Sequence, residues 1–169
     1  MYTGLLHLHN AMRWAILILL LVAIYRHFAG MNAKRPISNA DRKTDLFLMI
    51  SAHITLLIGI YQWVAGPWGL RNIQGLGISE VMKSSVYRFW AVEHLTGMVI
   101  GIALITAGRG VFRKNIADER KHRRALLLFT IALVVIAASV PWPFREVGVG
   151  RPLFPGGEKR VLPTAMNYR

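Results

Sequence analysis

Apolar residues along this chain fall in four blocks, at residues 5–28, 46–64, 87–108 and 125–140, separated by polar connectors. Three of the blocks reach the length of about 18 residues that a membrane-crossing helix requires, and the fourth does so if Pro141 and Trp142 lie at the interface. Backbone in lipid has to satisfy its own hydrogen bonds, so the blocks predict helices, over about 5–28, 45–66, 86–108 and 123–141. The expected fold is all-α: an integral membrane four-helix bundle in up-down-up-down order within residues 1–143. Pro141 and Pro143 stop the fourth helix, and Trp142 between them suits the membrane interface. Glycine and proline break the connector between helices 2 and 3, where a short interfacial turn is expected from Ser79. The tail over 144–169 carries Pro152, Pro155, Gly156, Gly157 and Pro163 without an apolar period. It is expected to be extended alone and to order on a partner.

Charge adds a direction to this picture. The net charge of +13 would suggest nucleic acid in a soluble protein. Here it is better explained by membrane topology and anionic lipid head groups, so no nucleic-acid partner is expected. The connectors on one side, after helices 1 and 3, hold twelve of the 21 lysines and arginines. The positive-inside rule puts that side in the cytoplasm and both termini on the outer, periplasmic side. Residues 1–8 have no basic run, so the first helix is not read as a signal peptide. Cysteine is absent, which removes disulfides, thiolate metal sites and iron–sulfur clusters. There is no carboxylate pair, serine elbow or phosphate loop, so independent enzymatic activity is not expected.

The candidate chemistry is histidine. Glu93 and His94 lie side by side, roughly 12 Å below one end of the third helix. Ionisable groups at that depth are costly and mark a candidate site. Gly97 and Gly101 share roughly the face of His94 and leave backbone bare, so a bulky group or another helix can come close. His7 and His9 point to nearly opposite faces; His9, four residues from Arg13, is favoured as the inward one and His7 as interfacial. His53 lies about eight residues into the second helix, at a similar depth of roughly 12 Å. His27, beside Arg26, is expected in solvent. His122 sits at the edge of the fourth helix and would be inside only if that helix starts before its apolar run.

Each helix thus has a histidine in its N-terminal part: His9, His53, His94 and His122. In an up-down-up-down bundle, helices 1 and 3 are diagonal, and so are 2 and 4. Diagonal pairs His9/His94 and His53/His122 could clamp a planar macrocycle from both faces, and two neutral imidazoles make a six-coordinate haem iron. Arg13 and Arg88 on the outer side, and Arg109 and Arg113 on the inner, could pair with propionates, or simply snorkel to the interface. Glu93 is expected to pair with Arg88 or Arg13.

The segments LLHLHNAMRW at 5–14, His53, RFWAVEH at 88–94, KHRR at 121–124 and SVPWPFR at 139–145 resemble a family of small bacterial four-helix membrane proteins labelled cytochrome b or cytochrome b-like. The resemblance covers about residues 1–145. It implies haem b, one or two per chain, and electron transfer in the inner (cytoplasmic) membrane. The layout is also similar to cytochrome b561, with two bis-histidine haems in four helices. The function expected is a cytochrome subunit of a larger respiratory or photosynthetic complex. It would touch the bilayer and other membrane subunits, its tail serving as a contact segment, with quinone a further ligand to consider. The alternative is a cofactor-free accessory subunit in which Gly97 and Gly101 pack helices.

Overall fold

The structure, a computed structural model, describes residues 2–148 and 153–155, so most of the expected extended tail lies outside the described residues. The described residues are helical, with no strand among them. The long helices are α1 (Tyr2–Asn32), α2 (Asn39–Ala65), α6 (His94–Gly110) and α7 (Asp118–Ser139). Three short helices, α3 (Leu70–Leu76), α4 (Ile78–Lys83) and α5 (Ser85–Arg88), join α2 to a π-helical turn at Phe89–Glu93 that runs into α6. Gly77, at φ 79°, makes the left-handed joint between α3 and α4 that a side chain would strain. Four spans are long and apolar enough to cross a membrane, as the apolar blocks predict.

The helices run past their apolar blocks. Ser38 and Asp41 form a reciprocal capping box that starts α2 ahead of its apolar run: the Asp41 N–H donates to Ser38 Oγ at 3.2 Å, and the Ser38 N–H to Asp41 Oδ2 at 2.9 Å. Helix α7 starts at Asp118, not near 123, with Asp118 and Glu119 in the first turn where the helix dipole favours carboxylates. This moves His122 from the expected edge to a fully buried position.

Burial follows one repeat in every long helix. The inward positions run Ile16, Leu20, Ala23, His27, Gly30 in α1 and Asp41, Asp45, Leu48, Ala52, Thr55 in α2. They run Gly101, Ile105, Gly108 in α6 and His122, Ala125, Phe129, Ala132, Ile136 in α7. The steps alternate three and four, the spacing of helices crossing at a shallow angle. The inward residues are often small, while Ile18, Leu21, Leu57, Leu127 and Val134 face outward. That inversion of size suits a bundle whose surroundings are apolar too.

Helix α1 packs against α2 and α7, and α6 against α2 and α7, leaving α1 and α6 on one diagonal. The tightest seam is between α6 and α7. A Cβ at Gly97 would strike Ser139, one at Gly101 would strike Ile136, and one at Gly108 would strike Phe129. The two helices therefore run in opposite directions with their backbones close. The groove beside His94 is filled by α7, so Gly97 and Gly101 pack helices rather than cradle a cofactor. Gly101→Val is expected to cost roughly 1–3 kcal/mol through overpacking, read as an earlier midpoint in denaturant unfolding of the detergent-solubilised protein.

Candidate functional site

The proline pair at the end of α7 builds the first half of the site. A helix carbonyl accepts from the N–H four residues on, and Pro141 and Pro143 have none to give to Ala137 and Ser139. Side chains take both carbonyls. Trp142 Nε1 donates to the Ala137 oxygen at 2.7 Å, and the His94 Nδ1 meets the Ser139 oxygen at 2.7 Å. Arg145 Nη1 donates to the Ala138 oxygen at 2.6 Å. A carbonyl only accepts, so His94 Nδ1 carries the proton, and in the neutral ring Nε2 is the basic nitrogen.

The π-helical turn sits directly before His94, and such turns favour functional sites. The Ala91 carbonyl within it accepts from Trp63 Nε1 at 2.9 Å. Phe89 and Trp90 bring their rings to 6.0 and 5.8 Å from that of His94. Opposite, on α1, the His9 ring centroid lies 6.4 Å from that of His94. Gly59 of α2 makes room for it: a Cβ there would come within 3.1 Å of His9 Cε1.

These residues border a cavity of about 140 Å³ lined by all four long helices and by Trp63, Trp68 and Trp90. Leu6, Ile16, Leu56, Leu95, Met98, Ile102, Ile136 and Val140 make its walls largely apolar. Asn10, Arg13 and Gln62 also line it, and Asn10 Oδ1, Arg13 Nε and Gln62 Nε2 are buried there without a hydrogen-bond partner. At its rim, Arg13 Nη2 and Trp14 Nε1 converge on the Leu153 carbonyl at 2.5 and 2.9 Å, and Phe154 stacks on Trp14 with centroids 5.4 Å apart.

A second polar cluster lies about 27 Å away along α1, eighteen residues or five turns from His9. His27, Asp45 and His122 are fully buried there. His27 Nδ1 lies 2.9 Å from His122 Nδ1, and His27 Nε2 lies 3.1 Å from Asp45 Oδ2. Gly30 lets the His122 ring sit on its backbone, where any Cβ would overlap the ring. One turn away, buried Asp41 holds Arg26 at 2.9 Å and Arg35 at 2.6 Å. The hydrogen bonds it donates to the Asp41 carboxylate hold the Arg35 guanidinium even more firmly protonated than usual.

The expected pair His9 and His94 is thus brought together, with Arg13 beside it. The expected pair His53 and His122 is not. His53 is exposed on the outer face of α2, its Nδ1 on the Met49 carbonyl at 2.8 Å, and the partner of His122 is His27. Two Nδ1 atoms at 2.9 Å share a hydrogen bond and leave no room for a metal between them. Arg88 is turned to Glu93, at 2.6 Å, and to the Met82 carbonyl; the expected ion pair is present but on an exposed carboxylate, not a buried one. Arg109 belongs to the basic end, where it acts on Asp45. His27, expected in solvent, is buried, and Asp45, Asn10, Gly59 and Gln62 are site residues that sequence reasoning missed. No protein-family model, curated protein or solved structure matches the chain.

Asp41→Asn is expected to cost about 1.5–3 kcal/mol by loosening charge-assisted hydrogen bonds. That is below the cost of severing a fully buried pair, because both arginines keep access to water. Denaturant midpoints of the two proteins check it.

Proposed function

We propose that the chain is a haem b-binding electron-transfer subunit of a bacterial inner-membrane redox complex, with one haem held between His9 and His94. The observation that carries this reading is that His9 and His94, brought in from diagonal helices, line one cavity with their ring centroids 6.4 Å apart. Two imidazoles that held one metal through bonds of about 2.0–2.1 Å would have centroids roughly 6 Å apart, a spacing this pair could reach. The Nδ1 of His94 is engaged by a backbone carbonyl, which fixes the ring orientation, and Nε2 is the nitrogen that would ligate. The buried, unpartnered atoms of Asn10, Arg13 and Gln62 call for a ligand with polar edges inside an apolar shell. Arg13 would pair with a propionate.

Haem held by these two histidines would supply one-electron transfer. The chain contributes the rest. Gly59 leaves space for the His9 ring, the Ser139 carbonyl orients His94, and the aromatic wall of Phe89, Trp90 and Trp68 excludes water. In this reading the bundle runs up-down-up-down, its basic end lies in the cytoplasm, and both termini lie outside. A quinol is the electron donor class, and the tail a contact for neighbouring subunits. A cofactor-free accessory subunit is the second reading, favoured by the packing of α7 into the Gly97–Gly101 groove.

A reduced-minus-oxidised visible spectrum of the purified protein, with haem-to-protein stoichiometry, separates the two. About one haem b per chain is expected, lost in His94→Ala and His9→Ala and retained in His53→Ala. Absence of haem in protein from haem-replete cells sinks the cytochrome reading and leaves the accessory one.

A further inference from the structure

The basic end holds a buried polar chain that the haem reading does not use. It joins three helices: Asp45 of α2, His27 of α1 and His122 of α7. All three side chains are fully buried. Their protons can be counted. With Asp45 ionised, the His27 Nε2–H donates to its Oδ2. The neutral His27 ring then accepts at Nδ1 from the His122 Nδ1–H. That leaves a lone pair on His122 Nε2, a buried atom with no hydrogen-bond partner. Asp45 Oδ1, at the other end, is also buried and unpartnered. The chain therefore ends in acceptors on both sides and is one proton short of neutral.

The groups around it are accounted for. Arg26 of α1 and Arg35 of the following connector are spent on Asp41 of α2. Lys121 of α7 is paired with Asp118 at 2.9 Å, and Arg42 of α2 lies over the Phe112 ring. Arg109 of α6 acts on Asp45, although its Nε is buried without a hydrogen-bond partner. Phe112 and Phe129 pack on His27, at 5.9 and 5.6 Å between centroids, and keep the chain dry. The connector after α1 covers His122, and the Arg35 backbone carbonyl faces its ring, an acceptor for the N–H that forms on proton uptake. The connector is pinned by the Arg35 N–H on the Gly30 carbonyl at 3.1 Å and the Ile37 N–H on Asp118 at 3.0 Å.

We propose that Asp45, His27 and His122 form a proton relay that takes up one proton at His122 Nε2 from the basic end and delivers it to the Asp45 carboxylate. A proton from water forms the new N–H bond at His122 Nε2. The His122 Nδ1–H bond breaks as the His27 Nδ1–H bond forms. The His27 Nε2–H bond breaks as an O–H bond forms on Asp45. One proton enters, no electron moves, and the cluster goes from one negative charge to none. Both rings end neutral with their tautomers exchanged, so no cation is left in the apolar interior. The relay goes beyond the haem reading and stands without it, since it lies at the opposite end of the bundle.

Infrared difference spectroscopy of the full chain in lipid nanodiscs, after a pH drop through the histidine range of about 8 to 5, tests this. A protonated-carboxyl band is expected in the unmodified protein and absent in Asp45→Asn. In His122→Phe the band should reach its amplitude roughly tenfold or more slowly, because the donor that feeds His27 is gone. Absence of an Asp45→Asn-sensitive band, or an unchanged rate in His122→Phe, overturns the relay. Should His122→Phe not fold, nitrogen-15 histidine NMR of the unmodified chain decides. The tautomers of His27 and His122 should exchange in one step on acidification. Independent titration of the two rings overturns the proposal.

Discussion

The close seam between α6 and α7 is the constraint on which the rest depends. Gly97, Gly101 and Gly108 remove the side chains that would hold the two helices apart, and Ser139, Ile136 and Phe129 occupy the space. In an apolar surrounding, burial of oily side chains gives little reason for helices to associate, so contact between backbones and shared hydrogen bonds have to do it. The seam also sets the register that brings the Ser139 carbonyl to His94. One packing decision thus orients the ring that the proposed haem site needs.

The two ends of the bundle show opposite uses of a histidine pair. At the cavity end the rings meet edge to face with their centroids 6.4 Å apart. At the basic end they stand 5.1 Å apart, with their Nδ1 atoms in hydrogen-bond contact. The difference comes from what surrounds them. Asn10, Arg13 and Gln62 at the cavity end keep buried polar atoms unpartnered around the pair, whereas Asp45 joins the other pair into a chain whose unpartnered atoms are at its two ends. A buried polar network is stable only where nearly every member is satisfied, and the few that are not mark where a proton or ligand has business.

Backbone carbonyls orphaned by proline recur as attachment points. Pro141 and Pro143 free those of Ala137 and Ser139, and the two side chains that answer, Trp142 and His94, lie on different elements. An aromatic and a histidine are thereby fixed by the chain's own helix end. The motif SVPWPFR is in this sense structural chemistry for the site rather than a mere helix stop.

The sequence by itself determined that four helices form and how they distribute charge, because a bilayer-length apolar run has no other way to satisfy its backbone. It also carried more than its apolar blocks showed. His9 and His27 are eighteen residues apart, five whole turns, so an inward His9 puts His27 inward as well. Asp45, Ala52 and Gly59 are seven apart and define the inner face of α2, which excludes His53. The three-and-four repeat that reaches back to His122 runs through charged residues, and only the helix start at Asp118 makes it continuous. What the tertiary structure alone decided was which groups meet: His94 with Ser139, His9 with Gly59, and His122 with His27. Those pairings depend on the register of helices far apart in the chain, and register is set by how closely glycine lets two backbones approach.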